Sequence, residues 1–140
     1  MSGDQAQIRI PHAAIEAMAS HSLACYPEEM CGLLVGHLAT GEVKRFVPCT
    51  NIAHSARVYT IDPKEHLRAE LAAEKEGWDV MGSAHSHTHS PAYPSPTDVA
   101  QAPDPGWHYV IVSLQTGTPE PRSFRIVDGQ ITEETIEVGT

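Results

Sequence analysis

The stretch WDVMGSAHSH, Trp78 to His87, constrains the fold more than any other part of the chain. It reads as a central strand whose far end carries two histidines one residue apart. Side chains two apart on a strand share a face. His85 and His87 are therefore expected to present both imidazoles to one side. Gly82 inside the run marks either a close approach of a neighbouring backbone or a simple packing need.

The neighbours of such a strand are legible on either side. Gln7–Ile10 reads as a short strand, and Pro11 stands where a first helical turn tolerates proline. From His12 to about Cys25, Ile15, Met18 and Ser22 recur at helical spacing, until Tyr26-Pro27 ends the helix. Cys31–Leu38 is an apolar strand that turns at Thr40-Gly41 into Glu42–Cys49 as a hairpin. Arg57–Ile61 (RVYTI) reads as a further strand. Asp62 as N-cap and Pro63 at the first position open a second helix. It runs to about Glu76 with Leu67 and Leu71 on one face, and Gly77 closes it. Ser95-Pro96 starts a short third helix to about Gln101, and Trp107–Leu114 is another buried strand. Ser123–Val127, the turn Asp128-Gly129 and the following QITEETIEV make a terminal hairpin, since both turn positions accept positive φ. The fold class expected is α/β (α+β): a central mixed β-sheet flanked by two longer helices and a short third. The 140 residues are expected to form one domain, 1–140.

Composition narrows the function. With 9 basic and 18 acidic residues the formal charge is −9. Nucleic-acid binding rests on clustered Lys and Arg that neutralise phosphates, so no nucleic-acid partner is expected. No apolar run approaches the roughly 20 residues of a membrane span, and no membrane partner is expected. The start MSGDQAQIRI lacks a signal peptide's layout, and three cysteines do not make a disulfide framework. A cytoplasmic, reduced setting is the expectation.

Two imidazoles on one face suit zinc, which favours nitrogen ligands with an added carboxylate. A catalytic zinc takes three protein ligands and leaves a position for water. Asp98, in the first turn of the short helix, is the candidate third ligand. His89 competes with it, but an extended strand puts roughly 13 Å between His85 and His89 at about 3.3 Å per residue. Each residue also has a plain structural explanation. A His-x-His pair is often packing, and Ser95 and Asp98 could be the N-cap and N3 of a capping-box-like turn. Glu28 or Glu29, just ahead of the strand at Cys31, could supply the base that a zinc hydrolase needs.

The combination resembles the JAMM (MPN+) metallopeptidase family. The carrying motifs are Glu29-Met30-Cys31-Gly32-Leu33-Leu34-Val35-Gly36, then His85-Ser86-His87, seven residues, Ser95, two residues and Asp98. AHSHTHSPAYPSPTDV, HYVIVS and RSFRIVDGQITEE are similar to the compact actinobacterial Mec-type branch. The resemblance implies an MPN/JAMM, cytidine-deaminase-like architecture and one Zn2+ per chain on His85, His87 and Asp98. It implies Glu29 as general base and acid, and Ser95 as donor to the developing oxyanion. Glu28 becomes a bystander, and Thr88 departs from the proline usual after the second histidine.

It implies a zinc-dependent peptidase acting after the C-terminal Gly-Gly of a small ubiquitin-like sulfur-carrier protein. The product is cysteine, as in cysteine biosynthesis, or a short C-terminal extension. The rival activities are a JAMM isopeptidase on lysine conjugates and a silent MPN-type scaffold.

The remaining candidates are weaker. Cys31 lies in an apolar run, the usual place of an inert buried thiol. His54, His66 and His108 are isolated and taken as non-ligands. His89 is read as an exposed loop residue, with substrate contact second. Tyr93 is read as a loop residue or a lid over the substrate tail, and Trp78 and Trp107 as core or rim.

Overall fold

The computed structural model describes residues 7–102 and 104–140. Positions 1–6, read above as lacking a signal peptide's layout, and Pro103 of the proline-rich loop lie outside the described residues. The elements run β1 (Gln7–Pro11), α1 (His12–Cys25), β2 (Cys31–His37), β3 (Glu42–Cys49) and α2 (Pro63–Glu76). They continue with β4 (Asp79–His87), α3 (Pro96–Ala100), β5 (His108–Ser113), β6 (Glu120–Val127) and β7 (Gln130–Gly139). The strands form one mixed sheet in the order β1-β3-β2-β4-β5-β6-β7, which curls until β1 also pairs with β7. This is the expected α/β architecture with two longer helices and a short third.

Strand β4 sits at the middle, antiparallel to β2 on one edge and parallel to β5 on the other. Gly82 is there for a close approach: a Cβ on it would lie 2.1 Å from the His108 carbonyl oxygen of β5. Strands covered on both faces become continuous apolar runs, and β2 is buried along nearly its whole length. Its Leu34 joins Ile8, Ile10, Met18, Met81 and Val110 in the core under α1. Its Leu33 faces the other way, with Cys31, Cys49 and Ala69 under α2.

The helices follow their capping residues. In α1, Ala14, Met18 and Ser22 are buried and Ile15 packs against the same core, while Pro11 ends β1 one place before the helix. Asp62 caps α2 by accepting from the Lys64 N–H, and Gly77 closes it at φ 77°. The Asp128-Gly129 turn has both residues at positive φ, 50° and 76°.

Leu67 and Leu71 share one face of α2, and it is the exposed one, 57% and 53%, because the helix rests on Ala69 and Ala73. At 3.6 residues per turn the leucines point almost directly away from those alanines. One expectation fails: the RVYTI run is not a strand, and apart from a single bridge between Ile61 and Asn51 it pairs with no sheet strand. Asn51 takes up its backbone groups instead: Oδ1 accepts from the Ala53 and Thr60 N–H, and Nδ2 donates to the Val58 carbonyl. Asparagine favours this side-chain-to-backbone bonding, and the result is a loop folded over the sheet.

Candidate active site

The alternation of β4 sends Ala84 into the α1 core and turns His85 and His87 to the opposite face. Helix α3 supplies the third residue. Ser95 is its N-cap, accepting from the Asp98 N–H at 3.0 Å, while Asp98 Oδ2 accepts from the Ser95 N–H at 2.9 Å. The capping box fixes the Asp98 carboxylate, and the same Oδ2 lies 3.2 Å from His85 Nε2 and 2.9 Å from His87 Nε2. The two Nε2 atoms are 3.3 Å apart. All three residues are buried.

His87 Nδ1 donates to the Pro91 carbonyl at 2.8 Å, so in the neutral ring Nε2 carries a lone pair. That lone pair faces a carboxylate oxygen and a second imidazole nitrogen. Two ring nitrogens and a carboxylate oxygen converging out of water suit a shared cation, and this donor set fits zinc. His85 Nδ1 is buried without a partner. Burial pushes the His85 pKa down. Burial also opposes charge on His87, but its bonds to the Asp98 carboxylate and the Pro91 carbonyl and the charges of Asp98 and Glu29 outweigh it and raise its pKa. Burial disfavours the Asp98 carboxylate, yet the bonds from His85, His87 and the Ser95 N–H hold it well below the usual carboxylate range.

The two glutamates ahead of β2 separate cleanly. Glu28 points outward toward His54, 3.4 Å away. Glu29 is only 3% exposed and its Oε1 has no partner. Burial pushes its carboxyl up to about 8; His87 pulls it down and Asp98 pushes it further up. A cleft of about 540 Å3 opens beside it, lined among others by Glu29, Arg57, His87, His89, Ser90 and Ser95. His89 is exposed and bonds Tyr26 and Thr88, outside the His85–His87–Asp98 cluster. Tyr93 packs edge-on against Phe124 at 5.5 Å and is not among the residues lining the cleft, which leaves no support for it as a lid. Cys31 is fully buried, and burial pushes its thiol up to about 12, so it is no thiolate nucleophile.

The family described as prokaryotic homologs of the JAB domain matches residues 11–127. The chain belongs to the JAB-domain (JAMM) family. It is 41% identical to the CysO-cysteine peptidase of Mycobacterium tuberculosis, over 89% of this chain and 86% of the relative. It is 36% identical to a probable TtuB-protein conjugate cleaving protease of Thermus thermophilus, over 86% and 77% of the two. Among solved structures, a Desulfitobacterium hafniense protein superposes with a TM-score of 0.85 at 35% identity, covering 94% of this chain and 92% of that one. The relatives' names are those of peptidases, and the chain is read as a hydrolase of the JAMM type.

Several residues that shape this JAB site escaped sequence reasoning. Tyr59 stacks on His85, centroids 4.4 Å apart at 22°, with its hydroxyl 3.3 Å from Ser83. Asn51 Nδ2 donates to the Glu29 carbonyl at 3.0 Å, and the Glu29 N–H donates to the Ser55 carbonyl at 2.8 Å. The hydroxyl of Thr88, where the family has proline, donates to the Ala56 carbonyl at 3.4 Å. The loop from 51 to 60 is thereby tied to both the Glu29 backbone and the end of β4. The asparagine opening a turn was the one available signal, because its side chain competes for local backbone groups. His108 also departs from its reading as isolated. Its Nδ1 donates to Glu134 at 2.5 Å, and the Ser123 hydroxyl donates to the same oxygen at 2.7 Å.

Proposed function

We propose that the chain is a zinc-dependent peptidase that hydrolyses the amide after the C-terminal Gly-Gly of a small ubiquitin-like sulfur-carrier protein. It releases cysteine or a short C-terminal extension. The observation that carries the reading is the buried, convergent cluster of His85, His87 and Asp98 beside Glu29, whose Oε1 has no partner, at the edge of a cleft. The names of the mycobacterial and Thermus relatives support the choice of substrate class.

His85, His87 and Asp98 would hold one zinc per chain. Bound there, the ion would acidify a water and polarise the scissile carbonyl. Glu29 takes the proton of the attacking water and returns it to the departing nitrogen. A carboxyl raised toward neutrality by burial holds and releases a proton near working pH. The water oxygen joins the glycine carbonyl carbon, the C–N bond breaks, and the proton ends on the released amine. Ser95 Oγ accepts from the Asp98 N–H, which leaves its own hydrogen free to donate to the developing oxyanion. A side-chain-free Gly-Gly tail would enter this cleft in extended form.

The test is release of cysteine from a CysO–cysteine adduct by the zinc-loaded chain, side by side with a lysine-linked conjugate. Cleavage of the adduct supports the reading. Preference for the lysine conjugate favours the isopeptidase, a reading that the desampylase of Haloferax volcanii, 40% identical over 62% of this chain, brings into range. No cleavage of either favours the scaffold.

A further inference from the structure

A residue released by cutting after Gly-Gly carries a free α-carboxylate, and the cleft is a hostile place for one. The protein bears a formal charge of −9, and Glu29 and the ionised Asp98 both flank the cleavage point. Arg57 is the single Lys or Arg lining the cleft. Its guanidinium has no hydrogen-bond or ion-pair partner among the described residues, while Arg9 and Arg122 pair with Glu137 and Glu133.

The loop that carries Arg57 is anchored on both sides of the cleft. The Arg57 N–H donates to Ser55 Oγ at 3.0 Å, and the Ser55 carbonyl accepts from the Glu29 N–H. The neighbouring Ala56 carbonyl accepts from Thr88, the residue after His87. A loop tied to the base on one side and to the end of β4 on the other holds the Arg57 backbone beside the cleft. A guanidinium presents a planar fork that matches a carboxylate with two parallel bonds.

We propose that Arg57 binds the free α-carboxylate of the residue released from the carrier, and so selects a single C-terminal residue over a lysine side-chain linkage. This rests on the proposed function and adds its specificity determinant. A lysine conjugate offers no carboxylate there, because that group is already in an amide of the target chain.

The experiment compares a carrier ending in Gly-Gly-cysteine with the same carrier ending in Gly-Gly-cysteinamide. The wild type should favour the free acid in kcat/KM by roughly 10–100-fold, the worth of one charge-assisted pair. Arg57→Ala should lose most of that preference through KM, and Arg57→Lys should keep part of it, having the charge without the fork. Circular dichroism should match the wild type, since Arg57 is exposed. In a Glu29→Gln background, which removes turnover, Arg57→Ala should weaken binding of the acid by a similar factor and leave binding of the amide unchanged. An unchanged acid-to-amide ratio in Arg57→Ala, with the wild type active on the acid, overturns this inference alone. A wild type inactive on both substrates overturns the proposed function, and this inference with it.

Discussion

Two buried histidine–carboxylate clusters lie among the described residues, and they differ in what converges on the carboxylate. His108, Glu134 and Ser123 join three neighbouring strands, and two donors meet one carboxylate oxygen. His85, His87 and Asp98 put two ring nitrogens and a carboxylate oxygen within 3.3 Å of one another, and no hydroxyl supplies a proton. In the first, one imidazole and one hydroxyl share Glu134 Oε2 away from the residues that line the cleft, and Oε1 is left without a partner. In the second, two imidazoles meet one carboxylate oxygen beside an open cleft. Burial of a histidine therefore says little by itself; what converges on its nitrogen separates a structural pair from a cation site.

The comparison can be broken most directly through activity. Glu29→Gln should lower kcat by about 10²–10⁴ while zinc content stays unchanged, checked by turnover and metal analysis on one preparation. Unchanged turnover would move the base to Glu28 or elsewhere.

The next effect is on stability, with the two clusters pulling apart. His108→Ala leaves the Glu134 carboxylate buried without its imidazole and should cost about 3–5 kcal/mol in urea unfolding. His87→Ala in the metal-free protein removes one of two imidazoles that meet the same carboxylate oxygen, leaves the other in place, and should cost clearly less. Equal losses would mean that the β4 cluster is as self-sufficient as the β5–β7 one.

Ser95 sharpens the contrast between framework and chemistry within one residue. As a cap alone, Ser95→Ala should cost about 0.5–2 kcal/mol with little change in rate. As an oxyanion donor it should cost roughly 10²–10³ in kcat. Measuring both on one variant apportions the two roles.

A smaller effect is pH-dependent. The Glu29 carboxyl is raised from an ordinary 4.5 to about 8 in the fold. The folded chain holds a proton that the unfolded chain has released, so this contribution is complete below pH 4.5 and is lost as pH rises through about 8. The stability of metal-free wild type minus that of Glu29→Gln should fall across this window. A flat difference would mean that Glu29 is not desolvated.

Much of this was legible in the sequence because strand periodicity is exact. A period of two sets His85 and His87 on one face whatever surrounds them, and the serine–proline–aspartate turn announces the helix that carries Asp98. Choosing Glu29 over Glu28 needed the family resemblance, since burial of one and exposure of the other is a tertiary fact. Which side of α2 meets the sheet was not legible: the face of Leu67 and Leu71 is the exposed one, because the helix seats itself through Ala69 and Ala73, where small side chains let it lie near the sheet. RVYTI misled because its aromatic and β-branched alternation is that of a strand, while Asn51 had already claimed its backbone. The partner of His108 lies 26 residues away on another strand, a distance at which a local pattern carries no signal.

The most direct test of the account is metal content measured by elemental analysis on wild type, His87→Ala and His108→Ala. The account predicts about one zinc per chain in the wild type and in His108→Ala, and almost none in His87→Ala. Zinc retained by His87→Ala, or a metal-free wild type that still releases cysteine from the carrier adduct, would contradict it.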